Sequence, residues 1–210
     1  VNFKNKKKII SFVGKLNSSK GYDSFGKAII KILDEHPEWS SIVIGDEPRE
    51  KLIFKHKRLK ILGFKSNEFI LKKLKEISIS VVPSKWDEPF GRSSLEASSR
   101  GCALIISNKG GLLETTKDCL IISNINENSI YRKIKLLIQN KKLRNHLQRQ
   151  TYKKFFLTNE YVSNLIDTLR DTLILQSIKK KYKKKNLKIL HITNLNERFD
   201  GRLHYNTGKR

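Results

Sequence analysis

ISVVPSKWDEPFGRSSLEA, residues 79–97, is the stretch on which the fold turns. It opens as a short, largely apolar run, breaks at Pro83-Ser84, and crosses a polar loop that ends in Pro89 and Gly91. A helix then begins, carrying Leu95, Glu96 and Ala97. A run that is apolar along its length, rather than alternating, is a strand covered on both faces, as in a parallel sheet.

The same unit repeats on either side. Upstream, IISFVG (9–14) leads into Tyr22, Phe25, Ile29, Ile32 and Leu33, spaced three and four apart as on one helix face. SIVIG (41–45) and LKILGF (59–64) follow, then a helix with Phe69, Ile70, Leu74 and Ile77. Downstream come ALIIS (103–107), a Gly110-Gly111 turn, LII (120–122), and helices around 128–139, 141–156 and 160–178. Strands alternating with helices require crossover connections, so the expected fold is α/β: a doubly wound, Rossmann-like parallel sheet. Ligands of such sheets bind beyond the carboxyl ends of the strands.

The chain carries 44 Lys and Arg against 20 Asp and Glu, a formal charge of +24, with two Cys and no Met. At 38% hydrophobic residues it has material for a proper core. Cys102 and Cys119 form no C-x-x-C pair, which excludes a disulfide mini-protein and leaves a zinc or redox site without support. They read as small apolar residues in a reducing compartment. No stretch has the roughly 18 uninterrupted apolar residues of a membrane span. With no Met and a strand almost at once, the amino end reads as a cut end.

Much of the charge sits at the ends: four Lys and no acid in residues 1–8, and eleven basic against two acidic residues in 179–210. KKKYKKK (179–185) reads as a solvated linker, or as a grip on the phosphates of nucleic acid or anionic lipid. It lacks the interleaved aromatics of a nucleic-acid tail.

Three loops following strands carry chemistry. Gly14-Lys15-Leu16-Asn17-Ser18-Ser19-Lys20-Gly21 brackets two ammonium groups between glycines, a cradle for phosphate oxygens or a solvated turn, and does not meet the P-loop pattern. In the opening stretch, free N–H groups near Gly91, Arg92 and Ser93 make a phosphate site at a helix start. Glu88 precedes that start and Glu96 lies about a turn and a half inside the helix, roughly 8–9 Å along its axis at about 1.5 Å per residue. Both carboxylates can accept from sugar hydroxyls, or simply favour the positive helix end. Gly110 and Gly111 either admit a ligand or make a strand-to-helix turn.

In order along about residues 8–176, these segments resemble the C-terminal domain of retaining GT-B glycosyltransferases, the group 1 family (family 4). The resemblance rests on Gly14 to Gly21 as G-[RK]-L-x3-K-G, Ile61-Leu62-Gly63-Phe64, and Ser84 to Gly91 as S-x-x-x-E-P-F-G. Glu88 and Glu96 supply the Glu-x7-Glu pair, and 101–114 the stretch before Gly-Gly and Glu. The resemblance implies a donor-binding half for a nucleotide-diphosphate sugar. Lys15 and Lys20 would neutralise the diphosphate, and Glu88 would hold the donor sugar; these three form the expected catalytic set. Gly14, Ser84, Phe90, Gly91, Arg92 and Ser93 would bind donor phosphate and sugar, Glu96 would accept from the ribose, and Phe64 would border the base. The family usually needs no metal or other cofactor. The reaction implied is sugar transfer with retention to a glycan or lipid-linked acceptor, in the cytoplasm or peripherally at the inner face of an anionic membrane, with no specific nucleic-acid partner.

The departures are Lys15 where the family commonly has Arg, Ala103 where it has Pro, and no counterpart before Val1 of the N-terminal domain that supplies the acceptor site. A lone donor half is expected to bind without turning over. The expected organisation is a nucleotide-sugar domain over 1–178, a basic linker over 179–186, and a further segment over 187–210. There LKILHITN (187–194) looks like the opening strand of a second transferase domain, or is an extra strand or basic tail of the first. The competing function is a catalytically inert module that binds polyanions.

Overall fold

The computed structural model describes residues 2–183. Six strands form one sheet: β1 (Lys7–Val13), β2 (Ser40–Ile44), β3 (Leu59–Ile61), β4 (Ile77–Val82), β5 (Ala103–Ser107) and β6 (Cys119–Ile122). All neighbours are parallel, in the order β3-β2-β1-β4-β5-β6. This is the doubly wound, Rossmann-like sheet expected from the repeated strand and helix units.

The strands separate two cores by alternation. Phe12, Val43, Val81 and Ile105 face one side, where α1 (Tyr22–Glu35), α5 (Glu127–Gln139) and α6 (Lys141–Lys153) supply Phe25, Ile29, Ile134 and Leu147. Ile42, Ile44, Leu104 and Ile106 face the other, closed by Leu74 of α2 (Asn67–Leu74), Ala97 of α3 (Arg92–Ser99) and Leu112 of α4 (Leu112–Thr115). Since successive side chains of a strand point to opposite faces, a strand buried on both sides must be apolar throughout. Ile79 and Val81 therefore serve one core and Val82 the other, while Ile77, on the far side of a register shift in the β1–β4 pairing, also joins the second.

β1 lies in the middle, hydrogen-bonded to β2 on one side and β4 on the other. The connection through α1 leads one way across the sheet, and the chain leaving α2 returns the other way. The loops leaving β1 and β4 consequently part, and a crevice opens between them at the carboxyl ends of the strands.

Two expectations about the carboxyl-terminal part are corrected. The compact unit ends at Thr158, short of residue 178, and the remainder forms a unit of its own. That unit contains α7 (Asn159–Lys183), which runs into the lysine run expected to be linker. Lysine is a good helix former, so a lysine-rich sequence does not prevent helix formation. The rest of the expected linker, 184–186, and the segment 187–210 lie outside the described residues. Among the described residues, no helix is long and apolar enough to cross a membrane.

Candidate active site

The crevice between the loops after β1 and β4 is a cavity of about 510 Å³. Gly14, Lys15, Lys20, Ser84, Glu88, Phe90, Gly91, Arg92 and Ser93 line it together, with Phe12, Val13, Val82 and Pro83 beneath. Nine of the residues singled out in the sequence thus meet in one place.

The first loop is held in shape from two sides. Asn17 accepts from the backbone N–H of Lys20 at 3.0 Å, tightening the turn that presents that lysine. The Glu50 carboxylate accepts from the Ser18 N–H at 3.0 Å and also from the Ser18 hydroxyl. Asn17 donates in turn to Glu47 at 3.3 Å. The Arg49 guanidinium, which donates to both Glu47 oxygens, pulls that carboxyl down to about 2. Glu47 and Glu50 lie just beyond β2 and escape sequence reading. Their only signal is that a chain with so few acids places two of them after a strand.

The second loop is pinned to the first. Lys85 and Trp86 donate their backbone N–H groups to the Ser19 carbonyl at 2.8 and 3.1 Å. Ser84 is buried: its hydroxyl donates to the Trp86 carbonyl at 3.1 Å and the Ser19 carbonyl at 3.4 Å, and its own carbonyl accepts from the Ser107 hydroxyl at 2.6 Å, so it is part of the frame. Gly110 and Gly111 pack against this loop: the Gly111 N–H donates to the Glu88 carbonyl at 2.6 Å, and a Cβ on Gly110 would lie 2.3 Å from the same oxygen. Their role is to seat the Glu88 backbone.

Across the crevice, Lys20 Nζ donates to Glu88 Oε1 at 2.6 Å, with only 29% and 12% of the two side chains exposed. Gly91 begins α3 in the left-handed conformation, φ 88°. No side chain caps this helix, and the first intrahelical bond is from the Leu95 N–H to the Gly91 carbonyl. The N–H groups of Arg92 and Ser93 therefore stay available at the positive helix end.

Two expected residues stand apart from the cavity lining. Glu96 accepts from the Asn67 amide at 2.7 Å and lies 3.6 Å from the Arg92 guanidinium. Burial pushes its carboxyl up, against the pull of Arg92 and Asn67. Phe64, after the edge strand β3, is 80% exposed. The β2 and β1 strands separate β3 from the switch point, which removes Phe64 from the crevice wall. Asn67, the partner that orients Glu96, is a further residue sequence reading missed, because it lies 29 positions away. Among the described residues there is no group of three or more His, Cys, Asp or Glu that could hold a metal ion.

A sequence model of the family described as "Glycosyl transferases group 1" matches residues 1–154. The chain belongs to the group 1 glycosyltransferases. Among curated members, an uncharacterized glycosyltransferase of Methanocaldococcus jannaschii is 34% identical over 117 residues, covering 52% of this chain and 30% of that protein. The lipopolysaccharide core mannosyltransferase LpcC of Rhizobium leguminosarum bv. viciae is 28% identical, over 50% of this chain and 33% of its own. The chain thus spans about a third of the length of these relatives. Among solved structures, the C-terminal domain of the group 1 glycosyltransferase LpcC from Francisella tularensis superposes with a TM-score of 0.64 at 26% identity, over 71% of this chain and 87% of that one. Anabaena HepE, solved with UDP-glucose, shares the fold at TM-score 0.63 and 17% identity, over 79% of this chain and 49% of its own.

Proposed function

We propose that this group 1 glycosyltransferase chain forms the nucleotide-sugar-binding half of a retaining enzyme that passes a sugar to a glycan or lipid-linked acceptor. The observation that carries the reading is the crevice itself, which gathers Lys15, Lys20, Glu88 and the open amino end of α3 at the switch point of the sheet. Binding of UDP-glucose by HepE, a protein of the same fold, supports a nucleotide-diphosphate sugar as donor.

In this reading the donor diphosphate lies between the two loops. Its oxygens take Lys15, Lys20 and the N–H groups of Arg92 and Ser93, a set of donors already fixed before reaction. Taking Lys20 frees Glu88 from its ion pair to accept from the sugar hydroxyls. Glu96, oriented by Asn67, accepts from the ribose. As the bond between the anomeric carbon and the diphosphate oxygen breaks, the acceptor oxygen bonds to the same face of that carbon. The acceptor proton passes to the leaving diphosphate, whose growing charge the two lysines stabilise. The reading needs no metal, and the acceptor site belongs to a partner domain facing the crevice. The reaction is assigned to the cytoplasm, where a basic protein can sit at an anionic inner membrane face.

Isothermal titration with UDP, GDP and their sugars tests this. Saturable, one-to-one binding of one nucleotide sugar is expected, weakened about tenfold or more in Glu96→Ala and in Lys20→Ala, as loss of a hydrogen bond involving a charged group implies. Binding of none, or binding that merely tracks ionic strength for any polyanion, would replace the reading with the inert polyanion-binding module.

A further inference from the structure

A second cavity lies at the opposite end of the sheet, beside the amino ends of β1 and β4. It measures about 390 Å³ and is lined by Phe3, Ser78, Asn145 and Gln148 together with six cations: Lys4, Lys6, Lys8, Lys141, Arg144 and Arg149. No acidic residue lines it. The contrast with neighbouring lysines is direct: Lys7 pairs with Glu76, Lys31 with Glu127 and Lys135 with Glu35. None of the six makes an ion pair among the described residues.

The cations form a fixed floor and an open rim. Lys6 donates to the carbonyls of Leu74, Ile77 and Arg100 at 3.0, 2.8 and 2.7 Å. Arg144 is buried, donates to the Leu137 and Ile138 carbonyls, and lies over the Trp39 ring at 5.1 Å. These two therefore supply positive charge in set positions. Burial lowers the Lys6 pKa, the cost of holding an ammonium there without a counter-charge. Lys4, Lys8, Lys141 and Arg149 are exposed at the rim, and their N–H groups can turn to a ligand. Lys141 and Arg144 belong to the first turn of α6, whose dipole adds to the same sign.

Six like charges around one concave space repel one another unless an anion joins them, and a concave wall concentrates their field. We infer that this cavity binds a phosphate-bearing anion of two or more charges, free in solution or as a lipid headgroup, at a site separate from the donor crevice. The charge number selects for a polyvalent ligand over a single carboxylate, and the volume suits a di- or triphosphate.

The test uses inorganic pyrophosphate by isothermal titration, and co-sedimentation with vesicles of phosphatidylinositol 4-phosphate in phosphatidylcholine against phosphatidylcholine alone. Lys8→Gln/Lys141→Gln and Lys4→Gln/Arg149→Gln remove rim charges without touching the core. Lys27→Gln/Lys60→Gln removes the same charge from exposed positions elsewhere. Every variant is made on Lys20→Gln, so that pyrophosphate held in the proposed donor crevice drops out of the readout; each rim variant is then expected to weaken binding about tenfold or more, in keeping with the loss of charge-assisted bonds, while the control pair leaves it within about twofold. Loss of pyrophosphate binding identifies a free phosphate as ligand, and loss confined to the anionic vesicles identifies a headgroup. Binding of neither, or equal loss in rim and control variants, overturns the site. Because Lys20→Gln already impairs the proposed donor crevice, pyrophosphate binding that persists there and is lost in the rim variants reports this cavity alone, while nucleotide-sugar titration of the unsubstituted chain reports the proposed function.

Discussion

In the proposed reading the Lys20–Glu88 contact joins two residues with opposite duties, one for phosphate and one for sugar, and each occupies the other until a ligand arrives. The quality of this site therefore depends on how firmly its loop is held. Glu50 is the main brace, through the Ser18 N–H and hydroxyl. Glu50→Gln is expected to speed amide exchange at Ser18 and Lys20 and to weaken nucleotide-sugar binding, with little change in melting temperature. Hydrogen exchange read by mass spectrometry checks the first effect. The second brace is robust to acid: a carboxyl lowered to about 2 contributes fully above its ordinary range, and Glu47 loses its hold on Asn17 only as pH falls through that value. Glu96 behaves the other way. Its pKa is raised by burial, so ionising it costs stability once pH climbs past the unfolded value. Glu96→Gln is expected to raise the melting temperature at pH 7 and to match the parent near pH 4, which a pH series of thermal melts will show.

Helix α3 and strand β5 show how much the elements depend on single positions. Gly91 holds φ 88°, and a Cβ there would come within 2.6 Å of Leu112 Cδ2. Gly91→Ala should cost about 1–3 kcal/mol from the backbone conformation alone, read by denaturant titration. Ile105 is fully buried in the middle of β5, and Ile105→Ala should cost about 2–5 kcal/mol by the same measurement. These strands and α3 were legible in the sequence because a strand covered on both faces has no polar side to disguise it. The cavity-lining residues were legible because they follow such strands directly. Glu50, Asn67 and the seating of Glu88 by Gly111 were not, since they reach the site from distant segments. Phe64 stands away from the crevice lining: following a strand does not say which strand, and only the spatial order puts β3 at the edge. The extent of α7 was obscured by counting charge without asking how a helix would distribute it.

At the scale of the molecule, every core residue among the described residues lies before Thr158. A chain ending at Thr158 is expected to melt in one cooperative transition within a few degrees of the longer chain, which differential scanning calorimetry will test. The two cavities occupy opposite ends of the sheet, so a ligand at one leaves the other open. The central position of β1 also sets the order in which the protein can assemble. As the chain is made, β1 can pair with β2 after a short helical excursion, yet its other edge, starting with the Lys7–Ile77 pairing, stays bare until β4 has been synthesised about seventy residues later. During that interval an apolar strand edge is exposed to neighbouring chains. The segment that completes the crevice between the β1 and β4 loops is thus also the one that ends this vulnerable period of biosynthesis.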